Sequence, residues 1–411
     1  MHPGESPFAA HTTPAPVLDD SWENLLQTAG SEALFSRLKK ELQEKNDHSG
    51  LFYTHLMEAR HRLGIAATPT GPASEIPTEQ HEEFEEAIRQ AATAVGRWAL
   101  DKGNLGAAWS YYRLLGEPEP IRQALEKIDL DQLADDQYEQ VEAAIRLAFH
   151  EGLDPVRGFQ WIIHRYGLCN AITTLSHPET PGGPQARLAC LDALIGALHH
   201  ELASRLNAEI ERVEGKAPLA TMLVPPLPPG TIAELIKNRS WLFEDEAYHI
   251  DLSHLSSVVQ MSQDLPKGPS LERARDLCAY GSQLKGRFVP GGEPPFDPLF
   301  NGYDRFLGAI QGDDTDGHVR WFEEQAEREL AEGNAYPAEV LRKLLERLGR
   351  KADSLAWAGK TLSAQALAPL CRAAGDFTPM VDAAKSQGDP VHLVAALLEQ
   401  EKLSKTAGKK A

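Results

Sequence analysis

Apolar residues along this chain recur at intervals of three and four. Phe84, Ile88, Ala91, Val95 and Trp98 fall on one helical face, as a 3.6-residue period requires of a segment that buries one side. Leu188, Leu191, Leu194, Leu198, Leu202, Leu206 and Ile210 carry such a stripe through one long helix. Leu34, Leu38 and Leu42 mark a helix near the N-terminus, and Leu341, Leu344, Leu345 and Leu348 one near the C-terminus. The period-two alternation of a half-buried strand is nearly absent. The pattern predicts an all-α protein.

Proline and glycine punctuate the stripes. Residues 66–78 (AATPTGPASEIPT), 176–184 (SHPETPGGP), 215–230 (GKAPLATMLVPPLPPG) and 289–298 (VPGGEPPFDP) interrupt the periodicity, and proline ends helices because its φ is fixed and its N–H is missing. The 215–230 segment holds Met222, Leu223, Val224 and Leu227 among its prolines, a composition suited to crossing a groove in extended form. The predicted organisation is a disordered N-terminus (1–18), a helical pair (19–65), a helical-repeat region (79–213), a middle helical region with Pro-rich loops (214–311), C-terminal helical repeats (312–401) and a basic, disordered tail (402–411).

One short pattern occurs twice. Gly103-Asn104 is followed by Ala108 and Leu114-Leu115; Gly333-Asn334 is followed by Ala338 and Leu344-Leu345 at the same offsets. A Gly-Asn pair ends one helix and begins the next, the small Ala permits close packing, and the Leu pair is expected on the buried face. Looser echoes stand at Gly375-Asp376 and Gly388-Asp389. Residues 91–116 (AATAVGRWALDKGNLGAAWSYYRLLG) and 324–349 (EQAERELAEGNAYPAEVLRKLLERLG) resemble the tetratricopeptide-repeat hairpin. The resemblance covers about a third of the chain. It departs from the family in lacking a run of equal-length repeats and in placing Pro337 at the start of a second helix. It implies a helical-hairpin solenoid or superhelix that binds protein or peptide on a concave face, and it assigns no individual binding residue.

With 411 residues, the chain exceeds the ~250–300 at which single compact cores stop growing, so several domains or an elongated array are expected. A net charge of −19 repels phosphate and anionic lipid, which excludes nucleic acid and membrane as general partners and favours a basic protein partner. Cys169, Cys190, Cys278 and Cys371 lie far apart without CxxC spacing; reduced thiols in a cytoplasm fit better than a disulfide framework. The first eighteen residues lack the basic and apolar regions of a signal peptide. No apolar run of roughly 18 residues reads as a membrane span.

The densest chemistry lies at 244–254, EDEAYHIDLSH. On an extended segment His249 and Asp251 would share one side, and His254 would close back from the following helix, a ligand set suited to Zn²⁺ or Fe²⁺. Glu246 or His150 would then serve as a base or fourth ligand. The competing reading is that Asp251 caps the helix 252–263 and the histidines pack separately; one short H-x-D-x-x-H match favours it. Other clusters are weaker. His150-Glu151 with His164 and His177, and His199-His200-Glu201, lack the H-E-x-x-H spacing. Gly359-Lys360-Thr361 lacks the first glycine of a phosphate loop, since Ser354 stands there. Ser36/Lys39 and Ser282/Lys285 share the spacing of a nucleophile pair but sit in helical stretches. Trp109, Tyr111, Tyr112, Phe159, Trp161, Tyr166, Trp321, Phe322 and Tyr336 are expected mainly in hairpin cores.

The expected function is a cytoplasmic scaffold that displays a groove to a protein or peptide partner, with no cofactor. The alternative is a metal-dependent hydrolase or oxygenase in a helical shell, with His249, Asp251 and His254 holding zinc or iron. A third reading is a structural subunit that pairs with a second copy along the Leu-striped helix 185–213.

Overall fold

The computed structural model describes residues 20–68, 76–129, 138–219 and 225–407. They form eighteen α-helices with a few short 3₁₀ and π turns, and no strand among the described residues. No described helix is long and apolar enough to cross a membrane. Helices stop where the prolines cluster: between Arg62 and Thr78, Ser176 and Gly183, Glu214 and Thr231, and before Leu299. Two compact units, Met1–Asp154 and Pro155–Ala411, divide inside the 79–213 repeat region, at the Asp154-Pro155 step that separates two helices.

The first unit contains α1 (Ser21–Glu44), α2 (His48–Arg62), α3 (His81–Asp101), α4 (Leu105–Leu115), α5 (Glu119–Glu126) and α6 (Tyr138–Ile145). Each of the first four packs on the next, and α4 also meets α6. Leu51, Ala92, Val95 and Tyr111 form a core here, flanked by Leu42, Phe52, Trp98 and Leu115. At the α3–α4 turn, the Gly103 N–H donates to Leu100 O (2.9 Å) and the Asn104 N–H to Ala99 O (2.9 Å). These are the paired bonds of a Schellman turn, which needs a left-handed residue; Gly103 supplies it at φ 74°. The Asn104 side chain then caps α4 by accepting from Ala107 N at 3.0 Å.

The second unit contains α7 (Pro155–Ser176, broken at Gly167), α8 (Gly183–Glu214), α9 (Thr231–Ile236), α10 (Leu252–Met261), α11 (Pro269–Gly281), α12 (Leu299–Gln311), α13 (Thr315–Ala331), α14 (Tyr336–Arg347), α15 (Lys351–Thr361), α16 (Ala364–Ala374), α17 (Thr378–Gln387) and α18 (Pro390–Ala407). The α13–α14 turn repeats the first one: Gly333 N–H to Leu330 O at 3.1 Å and Asn334 N–H to Glu329 O at 2.9 Å. Its cap differs. Asn334 accepts from Tyr336 N at 3.2 Å and donates to Glu329 Oε2 at 3.0 Å, and Pro337 occupies the first turn of α14, where a missing N–H costs nothing. Leu344 and Leu345 are fully buried. Leu114, expected to be buried as well, is 60% exposed; the local turn recurs, but the neighbours that would cover that face of α4 do not.

Packing in the second unit has two styles. α8 and α11 are hubs: α8 touches α7, α9, α10 and α11, and α11 touches α8, α9, α10 and α12. From α12 onward each helix packs on the next one or two: α15 on α16 and α17, α16 on α17 and α18. Leu191, Leu194, Leu198, Leu202, Leu206 and Ile210 of α8 are all buried within the unit. The long helix is therefore a core element, and its leucine stripe is not available as a seam for a second copy. α18 continues to Ala407, so the described part of the expected basic tail is helical. The expected disordered N-terminus 1–18, residues 408–411, and Met222, Leu223 and Val224 of the Pro-rich loop lie outside the described residues.

Candidate functional site

The 244–254 cluster does not assemble as a metal site. The Asp251 carboxylate is occupied as the N-cap of α10: Oδ1 accepts from Ser253 N at 2.8 Å, His254 N at 3.3 Å and Ser253 Oγ at 2.5 Å. These bonds, the Ser253 side chain first, hold its pKa below the ordinary value. His249 turns the other way, toward α11. Its main-chain N–H donates to Tyr280 Oη at 2.9 Å, and the same hydroxyl sits 3.1 Å from Nδ1. With Tyr280 donating to Nδ1, the ring proton sits on Nε2. Burial lowers the His249 pKa, Glu209 opposing, and burial pushes the Tyr280 phenol up to about 12. His254 stays in the first turn of α10. No group of three or more His, Cys, Asp or Glu among the described residues is placed to hold a metal ion. His249, Asp251 and His254 are thus corrected from a zinc or iron ligand set to a helix cap and a packed histidine. The reason is local: a helix N-terminus claims the nearest carboxylate.

Several other sequence candidates are engaged elsewhere. Glu151 meets Arg113 at 3.5 Å, and Glu201 pairs with Arg205. Lys39 binds Glu58 and Ser282 bonds to Cys278 O, so neither Ser/Lys spacing forms a nucleophile pair. Lys360, at the end of α15, lies 3.7 Å above the Trp357 ring. Most aromatics fill cores as expected: Phe159 and Phe322 are fully buried, and Tyr111, Tyr112 and Trp161 nearly so. Phe296, from the 289–298 loop, stacks on Tyr303 at 3.9 Å and meets Phe306 and Phe322 edge-on. Trp109, Tyr166 and Trp321 are half-buried, and Tyr336 is exposed.

The polar centre lies between α8 and α11. His199 of α8 is completely buried, and its Nε2 sits 2.8 Å from Asp276 Oδ2 on α11, whose side chain is 2% exposed. Asp276 Oδ2 also accepts from Ile232 N, and Oδ1 from Ala233 N, both at 2.8 Å. One carboxylate thus caps α9 from another helix and holds a buried histidine. Three hydrogen bonds satisfy a carboxylate that would be costly to bury alone. Three residues earlier on α11, Arg273 Nε donates to Leu227 O at 2.9 Å, and its Nη1 reaches Asp192 of α8 at 3.4 Å. Beside it is an open cleft of about 620 Å³ lined by Asp276, Glu272, Arg275, Asp304, Asp313 and Lys267 among others. Arg275 bridges Asp304 (2.8 Å) and Asp313 there.

Sequence reading missed Asp276 and, in His199, saw only part of a His-His-Glu surface run. One signal was present. Ile195, His199, Leu202 and Leu206 share a helical face, and a lone histidine on an apolar stripe marks a buried polar contact. Its partner, 77 residues away, left no such mark.

A second surface feature is the outer face of α18. Val391, Val394 and Leu398 share it, with Leu397 beside them, while Leu393 and Ala396 pack inward on the α15–α17 core. Of the twelve large hydrophobic residues that are exposed among the described residues, five lie on this helix. Comparison with protein-family models, with curated proteins and with solved structures returned no match to this chain.

Proposed function

We propose that the chain is a helical scaffold that binds another protein, with α13–α18 as a divergent array of tetratricopeptide-like hairpins and the outer face of α18 as a docking surface. The single observation that carries this reading is the concentration of exposed apolar residues on α18. Soluble proteins seldom leave an apolar stripe at helical spacing uncovered unless something docks on it. From α12 to α17 each helix is covered by one or two later helices, so the layer that α18 lacks is itself a helix. The recurrence of the same Schellman turn at Gly103 and Gly333 supports the hairpin reading. A net charge of −19 favours a basic partner and speeds its approach. The fitting partner is therefore a basic segment that forms an amphipathic helix.

The test is a set of amphipathic helical peptides matched in apolar face and differing in charge, titrated against the wild-type chain and Val391→Glu/Leu398→Glu. Binding of the basic peptides that is lost in the variant, with the circular dichroism spectrum unchanged, is the expected result. Equal binding to both proteins, or no binding to either, would rule out α18 as the docking surface. No observation favours the metal-enzyme reading, since its three ligands point to separate partners.

A further inference from the structure

The apolar positions on the outer face of α18 end halfway along the helix. Val391, Val394 and Leu398 form one stripe, with Leu397 beside it. A 3.6-residue period carries that stripe on through Glu401, Lys402 and Lys405, all exposed. Lys405 pairs with Glu401. Glu399 and Glu401 offset Lys402 and Lys405, so Pro390–Ala407 carries no net formal charge within a chain of −19. On this neutral strip a second acidic chain can approach with the least like-charge repulsion. The strip is also complementary to itself. A two-fold contact brings the same patch of both copies together. A parallel pair of α18 helices sets Lys402 and Lys405 against the same lysines. An antiparallel pair centred between Val394 and Ala395 sets Val391 level with Leu398 of the second copy, and the two Val394 side chains close together. The charged half of each helix then runs past the apolar half of the other. Lys402 comes within two residues' rise, about 3 Å along the axis, of the second copy's Asp389. Asp389 caps α18 at His392 N (3.1 Å) and is only half-buried, so it keeps a side open to a lysine.

We propose that α18 pairs antiparallel with α18 of a second copy, and that this reversible contact covers the docking face until a partner helix takes it. The end of a stacked helical array needs a cap, and the second copy supplies one. Four large apolar side chains from each copy make a far smaller contact than the roughly 20–30 residues a side of a stable complex. The pairing is therefore weak and concentration-dependent, and a partner that fits α18 better displaces it. The inference rests on the docking reading of α18 and names the regulation of that face.

The test is sedimentation equilibrium of the full chain, wild type and Val391→Glu/Leu398→Glu, at low and high salt. The wild-type mass should rise from 45.1 kDa toward twice that value. The rise should fall between about 1 and 500 µM, as a weak contact requires. High salt should strengthen it, because screening removes the repulsion between two acidic chains. The variant should stay monomeric throughout, with an unchanged circular dichroism spectrum. Orientation is read by cross-linking in a Cys169→Ser background, which removes the exposed thiol. Val394→Cys should form a disulfide between copies, and Lys405→Cys should not. A wild-type mass fixed at the monomer value at every concentration and salt would overturn the proposal. So would equal association of the variant, or cross-linking at Lys405→Cys in place of Val394→Cys. Binding of a basic peptide weakens with salt, whereas self-pairing strengthens, so failure of one reading is distinguishable from failure of the other.

Discussion

Asp251 and Asp276 do the same job in two different settings. Asp251 caps α10 from the residue just before it, in solvent, with Ser253 and His254 as its partners. Asp276 caps α9 from 43 and 44 residues further along the chain, out of solvent, with a buried histidine on the same oxygen. The first is a local contact that any short sequence window contains. The second exists only because α8, α9 and α11 converge. Polar residues crowded in sequence therefore marked a helix boundary here, whereas the polar centre of the unit was assembled from residues scattered along the chain.

The largest difference is expected on deleting the two carboxylates. Asp276→Ala leaves His199 and two N–H groups unpaired in the interior and should cost about 3–5 kcal/mol, the range for removing one partner of a buried pair. Asp251→Ala should cost about 1 kcal/mol, as for an ordinary exposed cap. Urea unfolding monitored by circular dichroism reads both. Equal losses would mean that the buried centre adds nothing to a simple cap.

The two Gly-Asn turns give a finer contrast. Asn104→Ala removes a side-chain cap to Ala107 N and should destabilise by about 1 kcal/mol. Asn334→Ala removes a longer bond to Tyr336 N and an exchangeable one to Glu329, and should cost less, about 0.5 kcal/mol. Reversal of that order in thermal unfolding would show that side-chain capping does not distinguish the turns.

The pH dependence separates the neighbours of the rejected metal site. The folded-state pKa of His249 is lowered by burial, so its neutral form is favoured in the fold. The stability this contributes is present above the ordinary value of 6.5 and lost as pH falls toward the lowered value. Asp251 is also depressed, by its cap bonds, so its contribution persists above 3.8 and is lost only at lower pH. Melting temperatures of wild type and His249→Phe should diverge between pH 5 and 8 by about a few degrees or less. Those of wild type and Asp251→Ala should converge only at stronger acidity. A flat difference for His249→Phe would show that the ring is not held neutral by the fold.

The smallest effect is kinetic. Cys169 is exposed, whereas Cys190, Cys278 and Cys371 are buried; burial raises the Cys190 thiol to about 11 and pushes the Cys278 thiol well above its ordinary value. A disulfide exchange reagent should label Cys169 rapidly in the native chain and the other three only on unfolding. Prompt labelling of Cys190 would indicate that α8 opens readily.

Helix existence, helix ends and the twin Schellman turns were legible along the chain because they depend on neighbours within one or two turns. A 3.6-residue apolar stripe, a proline and a Gly-Asn pair act on the backbone beside them wherever the chain goes. Those signals located α3, α8 and α14, the Pro-rich breaks, and even Asp251 as a cap. They did not say which stripe would be covered. The leucines of α8 became an internal core, Leu114 stayed in solvent, and the uncovered apolar face fell on α18, because burial depends on which helices converge. Nor could they pair His199 with Asp276 or set Leu227 on Arg273, since such contacts join residues 46 to 77 positions apart and carry no local period. Local backbone physics wrote the list of helices; the distribution of solvent, charge partners and free surface came only from their tertiary packing.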